Sequence, residues 1–330
     1  MKKNNSFLFA ISIAVAIIGT LQAQSRQSSA SWNVQEISMT KWNSQDGIPY
    51  MQAPGVNLGA VAFDMIAVNK IAFLSNASNE IIITDRTSGK AINRFPVTFA
   101  PRDFVYDNGV FYVLGEKFVI AYNENGKLLK QLSFPGTYLG IERVTRFNNA
   151  TYLLLPSGNC FQIESGKEHE GWITSAGNFV FTKLNGDNSY SVKLITNTGK
   201  IFTATFNTDK TVAGVYVVGA TQNRIFLDVQ TYITQSPISV ERKIVSVDLS
   251  SSGIGSVVAN IKVPDCYYVL SNNDFHLSAT GNILNMMTSP QGAFVFTLTE
   301  VKAGKTIGYP ASLTNLKYHF NDHLIQVEAK

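Results

Sequence analysis

Cysteine, histidine and charge are all scarce in this sequence, and each scarcity excludes something. Two cysteines in 330 residues rule out a disulfide-dense scaffold and a four-cysteine zinc module. Charged residues make up 15% of the chain and hydrophobic ones 45%. An average soluble protein is roughly 25% charged, and a disordered one needs high charge with few apolar groups, so this chain folds around a sizeable core. There is no P-loop, no dinucleotide fingerprint, no Gly-x-Ser-x-Gly elbow and no Cys–His signature. No cofactor is therefore expected, and nucleophilic catalysis has no visible handle. Beyond Ile18 no long apolar run exists, and no long stretch shows a convincing 3.6-residue apolar period.

What is present begins with an address. Lys2 and Lys3 precede an apolar run from Phe7 to Ile18, and Leu21-Gln22-Ala23 follows before Gln24. A positive start, an apolar stretch of about a dozen residues and a small residue at the cut make a secretory signal peptide over residues 1–23. The run is shorter than the ~20 apolar residues of a membrane span. No cysteine follows it, so lipoprotein attachment is not expected. Cleavage after Ala23 leaves 307 residues, with 25 basic residues against 23 acidic ones and a net charge of +2 rather than +4. So small a balance, without a basic cluster, gives no footprint for nucleic acid. Residues 24–31 are polar and Ser-rich, a flexible lead-in to a single domain at 32–330. An exported chain, periplasmic or extracellular, with no membrane insertion after cleavage follows. Export permits a disulfide between Cys160 and Cys266, but two isolated buried thiols are the favoured reading.

From residue 60 onward the pattern is short and alternating. The stretch Asp103 to Phe134 holds four strands, Phe104–Tyr106, Val110–Leu114, Phe118–Tyr122 and Leu128–Phe134, joined by Asn/Gly-rich turns. Asp64 to Phe95 has the same plan, offset by 39 residues from Asp64 to Asp103. The opening hairpin recurs at Arg143 to Tyr152, Trp172 to Phe181, Val215 to Leu227, Phe275 to Leu284 and Tyr318 to Val327. Units of about 40 residues with four strands each are the mark of β-propeller blades. Starts near 65, 104, 144, 172, 215, 275 and 318 predict an all-β propeller of seven four-stranded blades. The seventh is split, its inner strands coming from the C-terminus and its outer ones from residues 32–60, where Trp32 to Ile37 alternates like a strand. The alternative is a six-bladed ring with a C-terminal appendage. The third unit is short. The fifth is long, with an extended hairpin around Tyr232 to Arg242 and a connector around Pro264 to Asn273.

Phrases such as Tyr106-Asp107-Asn108-Gly109-Val110-Phe111-Tyr112-Val113 and Ala121-Tyr122-Asn123-Glu124-Asn125-Gly126-Lys127-Leu128 resemble the secreted bacterial β-propellers of the NHL/YVTN and quinoprotein-like kind. The resemblance covers residues 60 to 328 and is one of architecture. Quinoprotein tryptophan-docking motifs are absent, since the only tryptophans are at 32, 42 and 172, and so is the WD dipeptide of WD40 repeats.

Candidate chemistry is sparse. His319 and His323 are four apart, but across a predicted hairpin turn rather than on a helix face, so no metal site is expected there. Asp107 and Asp187 sit in Asn/Gly turns without the ligand spacing of a calcium loop. One placement has mechanical content. Inner strands of a propeller start at one end of the central channel, which predicts that Asp64, Arg102, Asp103, Glu142, Arg143, Trp172, His276 and Lys317 converge at a channel mouth as a ligand-binding set. The reading that follows is a monomeric, non-catalytic interaction propeller of the bacterial envelope, recognising a protein or a glycan. The competing reading is a polysaccharide hydrolase or lyase with dispersed channel residues.

Overall fold

The computed structural model describes residues 30–330, except 55, 139, 142, 175, 303, 315, 322, 323 and 330. The expected signal peptide and all but the end of the lead-in lie outside the described residues. Six antiparallel four-stranded sheets follow one another along the chain. Blade 1 is Ala60–Ala67, Lys70–Ser75, Glu80–Asp85 and Ala91–Pro96, and blade 2 is Asp103–Asp107, Val110–Leu114, Phe118–Asn123 and Leu128–Ser133. Blade 3 is Arg143–Phe147, Ala150–Leu154, Cys160–Gln162 and Lys167–His169. Blade 4 comprises Trp172–Ile173, Phe179–Gly186, Ser189–Ile195 and Ile201–Asn207. Blade 5 comprises Val212–Ala220, Arg224–Gln235, Ile238–Ser250 and Gly253–Val263, and blade 6 takes Phe275–Leu277, Ile283–Ser289 and Gly292–Val301. The fold is a β-propeller.

Each blade is a meander because its turns demand it. In blade 2 the link between the first two strands is Asn108-Gly109, both at positive φ (50° and 83°), and in blade 3 it is Asn148-Asn149 (48° and 64°). Two consecutive left-handed residues make the tight turn whose twist matches that of paired strands. The middle strands are apolar runs rather than alternating ones, because both of their faces are covered. Ile71, Phe73, Leu74, Ile81 and Ile82 are all fully buried. Outer strands see water, as Leu128–Ser133 does along nearly its whole length.

The core is accordingly a ring of layers between blades. Ile83, Phe95 and Leu74 of blade 1 pack on Phe104, Phe111 and Tyr122 of blade 2. Leu114, Val119 and Ala121 of blade 2 pack on Val144, Leu153 and Phe161 of blade 3. The last layer sets Leu284, Met286 and Val295 of blade 6 against Phe63, Phe73 and Ile82 of blade 1, which closes the ring. No blade buries both faces alone, so stability belongs to the whole circle.

Closure uses the N-terminus, though not in the predicted seventh blade. Ser31–Lys41 pairs antiparallel with Gly292–Val301 and is the outer strand of blade 6, with one bulge between Glu36 and Ser38. Trp32 and Val34 are buried in the layer toward blade 5 beside Phe226, Ile244 and Phe296. The C-terminal hairpin, Leu316–Asn321 with Leu324–Ala329, is a two-stranded sheet of its own. The seven-blade expectation thus gives way to six. The 316–329 hairpin alternates like an inner pair, but blade 6 already has inner strands at 275–277 and 283–289, so only its outer edge was open to the N-terminal strand. The short third unit, blade 3, has an outer strand of three residues. Cys160 and Cys266 are buried and form no disulfide.

Candidate functional site

A cavity of 620 Å³ opens at the channel end where inner strands begin, within the range of about 300–1,000 Å³ typical of small-ligand sites. It is bounded by Leu154 to Gly158 of blade 3, Trp172, Val180 and Thr182 of blade 4, and Val215 to Val218, Asp228, Gln230 and Arg242 of blade 5. The connector from Cys266 to Asp274 and Phe275 and Met286 of blade 6 complete it. Pro156, Ser157, Tyr216, Leu270 and Asn272 are exposed on its rim.

Two charged centres face the space. One is Arg242, 8% exposed. Its Nη2 and Nε donate to Asp228 Oδ2 at 2.6 and 3.1 Å, and its Nη1 donates to Asp274 Oδ2 at 2.7 Å. Gln230 Nε2 also donates to Asp228, at 3.0 Å. Two carboxylates on one guanidinium leave one negative charge in excess. Burial disfavours the Arg242 cation, but Asp274 and Asp228 together push its pKa well above the ordinary value. The same burial pushes the Tyr267 phenol beside it up to about 12.

The other centre is Arg143. Its Cζ lies 5.2 Å from the Trp172 ring centroid, a cation–π contact, and Nη1 donates to the Val217 carbonyl at 3.2 Å. Its Nε is buried and has no hydrogen-bond partner among the described residues. Burial pulls the Arg143 pKa below its ordinary value, with Asp103 and Asp274 acting the other way.

Arg143 stands where it does because of register. Asp103 pairs with Leu114 and Arg143 with Leu154, each five residues before the first residue of a two-residue turn, so they hold equivalent places in blades 2 and 3. Asp103 is fully buried. Its Oδ2 accepts the Val144 N–H at 2.9 Å and its Oδ1 accepts Asn273 Nδ2 at 3.2 Å. It thereby ties blade 2 to blade 3 and to the connector. Burial raises its pKa to about 7, against the Val144 N–H, the Arg143 charge and the Asn273 amide.

The predicted set divides. Arg143 and Trp172 line the cavity. Asp103 and His276 flank Arg143 from behind the lining. His276 meets the edge of Phe63 at 5.1 Å, and burial, then the Arg143 charge, pushes its pKa down to about 3. Arg102 lies outside the lining: its Nη1 donates to the Ile141 carbonyl at 3.2 Å and its own carbonyl accepts Asn272 Nδ2 at 2.8 Å. Asp64 is not brought to the cavity. The blade-1 ladder sets Ala62 opposite Leu74, in the place of Asp103, and Asp64 one dipeptide further along opposite Ala72. The 39-residue offset hid a bulge between Met65 and Ala67. Burial raises the Asp64 pKa to about 6, against the N–H groups of Tyr106 and Met65. Glu142 lies outside the described residues. Lys317 is placed on the C-terminal hairpin strand, away from every blade ladder, and its side chain, like those of His319 and His323, lies outside the described residues.

Asp228, Asp274, Arg242, Tyr216 and Tyr267 were not among the candidates. One signal was there to read. Asp228 interrupts the apolar run Ile225–Val229, and a lone carboxylate on a strand covered on both faces needs a cation. Its strand pairs Gln230 with Arg242, which makes Arg242 the diagonal neighbour of Asp228. Among the described residues no three His, Cys, Asp or Glu side chains are placed to hold a metal ion.

No protein-family model matches the chain and no curated protein matches it. Among solved structures it is similar to the Pan2 WD40 domain of Neurospora crassa, at 11% identity and a TM-score of 0.46, covering 82% of this chain and 96% of that one. It is similar to the Cps50 (Swd1) β-propeller domain of Myceliophteria thermophila, at 9% identity and 0.46, covering 86% and 100%. It is also similar to BamB of Moraxella catarrhalis, at 9% and 0.36, covering 80% and 97%. Likeness at this level concerns fold alone.

Proposed function

We propose that this chain is an exported, non-catalytic recognition propeller of a bacterial envelope that receives part of a protein or glycan in the cavity at its channel mouth. The observation that carries the reading is the cavity itself: an open space walled by four blades and a connector, with an incompletely bonded arginine on one side and an over-supplied pair of carboxylates on the other. Structural charges on a propeller are expected to be satisfied, as Arg146 is by Asp107 at 2.8 Å and by the Tyr112 face. A groove that leaves polar capacity unused has capacity for a ligand.

Binding is preferred to hydrolysis because of where the acids lie. A glycosidase needs a proton-donating carboxyl group at the scissile bond. The carboxyl group raised to about 7, Asp103, is wholly buried, has both oxygens engaged and does not line the cavity. The carboxylates that do line it, Asp228 and Asp274, both engage Arg242. Export rests on Lys2, Lys3, the Phe7–Ile18 run and Ala23. Among the described residues no helix is long and apolar enough to cross a membrane.

The test is capture from envelope extracts with the mature protein and with Ser157→Trp, which places a large ring on the exposed rim without touching the core. A partner retained by the parent and lost by the variant at unchanged melting temperature is expected. A partner held equally by both places the site elsewhere, with the long hairpin of blade 5 next in line. A mature N-terminus at Gln24 in the native host is expected by mass spectrometry; an intact Met1 overturns export.

A further inference from the structure

Resting on the cavity reading, we propose that the ligand is an acidic saccharide, whose uronic-acid carboxylate pairs with Arg143 while its ring hydroxyls donate to Asp274 and Asp228. The argument is one of complementary capacity. Arg143 lies on the cavity wall with one face on Trp172 and, besides its bond to the Val217 carbonyl, forms no ion pair with a carboxylate among the described residues; its Nε is itself buried. A guanidinium N–H in that condition is satisfied best by a carboxylate, through a charge-assisted bond. A neutral hydroxyl would meet the guanidinium with a weaker bond than a carboxylate does.

Across the space the demand is opposite. Asp228 and Asp274 share the single cation Arg242, and a carboxylate has about four lone-pair positions, so acceptor capacity remains. A second anion there would be repelled, whereas hydroxyl donors fit. The ligand must therefore carry one carboxylate and, a few ångströms away, several neutral O–H donors. A uronic acid within a short oligosaccharide has that arrangement on one rigid ring. Tyr216, 54% exposed on the rim, offers a flat apolar face for a neighbouring sugar. A peptide C-terminus supplies the carboxylate without the cluster of hydroxyls, and a phosphate brings more negative charge toward Asp274.

Isothermal titration of the mature protein tests this with oligosaccharides of two to four rings containing glucuronate, galacturonate or mannuronate. The same oligosaccharides with the carboxyl reduced to a neutral alcohol, and a tripeptide with a free C-terminus, serve as comparators. At least one acidic saccharide is expected to bind about 30-fold or more tightly than its reduced counterpart, the range for a desolvated charge contact. Arg143→Gln should abolish that difference while leaving weak binding of the neutral sugar, and Ser157→Trp should remove both. If Arg143→Gln does not fold, the loss in Ser157→Trp together with the acidic-over-neutral ratio in the parent decides. Equal binding of acidic and reduced sugars, a preference that survives Arg143→Gln, equal or tighter binding of the tripeptide, or no binding of any uronate overturns the inference. Sugar binding that ignores charge but is lost in Ser157→Trp, or a captured partner lost in that variant while no sugar binds, overturns it and leaves the cavity reading standing. Acidic binding untouched by Ser157→Trp removes both.

Discussion

Blades 1 and 2 and blades 3 to 5 solve the same packing problem differently. In the first pair the inner-strand places nearest the channel mouth hold Ala62 and Asp103, both fully buried, and Asp103 is bonded on both oxygens. In the second group the equivalent place holds Arg143, the inner strand of blade 4 is two residues long, and that of blade 5 runs nine residues with two register shifts. The first half is filled and lines none of the cavity; the second surrounds 620 Å³ of space. The sequence repeat is most regular where the channel is closed and most eroded where it is open. Drift from the repeat is thus a pointer to the cavity, because the wall of an open space takes side chains and strand lengths that a stacking blade does not.

The comparison presumes a closed ring, and opening the ring has the largest expected effect. Deleting Ser31–Lys41 strips the outer strand from blade 6, bares the edge of Gly292–Val301 and removes buried Trp32 and Val34. A bare edge invites aggregation, and interblade layers are lost together. No cooperative melting is expected by calorimetry. Deleting 316–330 leaves all six ladders intact and should perturb melting far less. The reverse order would mean that the C-terminal hairpin, not the N-terminal strand, closes the fold.

Next come substitutions that set the filled half against the open one. Asp103→Ala leaves the Val144 N–H and the Asn273 amide without their acceptor in a buried place, at about 1–3 kcal/mol for each group. Thr182→Val, on the cavity wall, removes one bond from Oγ1 to the Val215 carbonyl, 2.8 Å long, worth about 1 kcal/mol. Urea titrations of both variants check the order. Equal losses would mean that the open half is as tightly determined as the closed one.

Much of this organisation was legible in advance. The strands of blades 1 and 2 follow from Asn/Gly turns and apolar runs, and the predicted Val110–Leu114 matches the observed strand residue for residue. Arg143 and Trp172 stand on the cavity wall because strand starts converge in a ring, whereas His276 stands behind it. The blade number was not legible, since the alternating pattern of 318–327 is the same whether or not a blade has room for it. The bulge in blade 1 was invisible too, and with it the displacement of Asp64. Asp228 and Arg242 were missed because their meeting depends on the register of a hairpin whose turn lies well beyond both of them.

Acidity offers a subtler test, since Asp103 and His276 bias stability in opposite directions. The Asp103 carboxyl is raised to about 7 in the fold, so between its ordinary value near 4 and pH 7 the folded state holds more protons than the unfolded one. Its contribution is present at low pH and is lost as pH rises through that window. The His276 imidazole is lowered to about 3, so between pH 3 and its ordinary value near 6.5 the unfolded state holds more protons, and stability rises with pH. The two slopes, each at most about 1.4 kcal/mol per pH unit, oppose one another from pH 4 to 6.5. Relative to the parent, Asp103→Asn should shift the slope of stability against pH upward and His276→Gln should shift it downward across this range, the Asp64 carboxyl, raised to about 6, being common to both, as followed by urea unfolding. Parallel profiles for the two variants would show that these groups titrate with their neighbours rather than against each other.

The smallest expected effect belongs to Arg102, and it sharpens the boundary between the halves. Arg102 precedes Asp103 in sequence and carries the same charge as Arg143, yet its guanidinium turns to the Ile141 carbonyl, 3.2 Å away, and it does not line the cavity. Arg102→Ala removes one partly solvated bond between blade 2 and the link into blade 3. A loss of about 1 kcal/mol is expected, seen as a fall of about 1–3 °C in melting temperature for a chain of this size. Capture of the ligand should be unchanged, because the charge lost is outside the space the ligand occupies. Arg143→Gln is the opposite case, with capture weakened. The pair separates position from charge, since both changes remove one positive group from adjoining blades. If Arg102→Ala abolishes capture while the protein still melts as a single cooperative unit, the ligand reaches across the channel onto blade 2, and the filled half is part of the site.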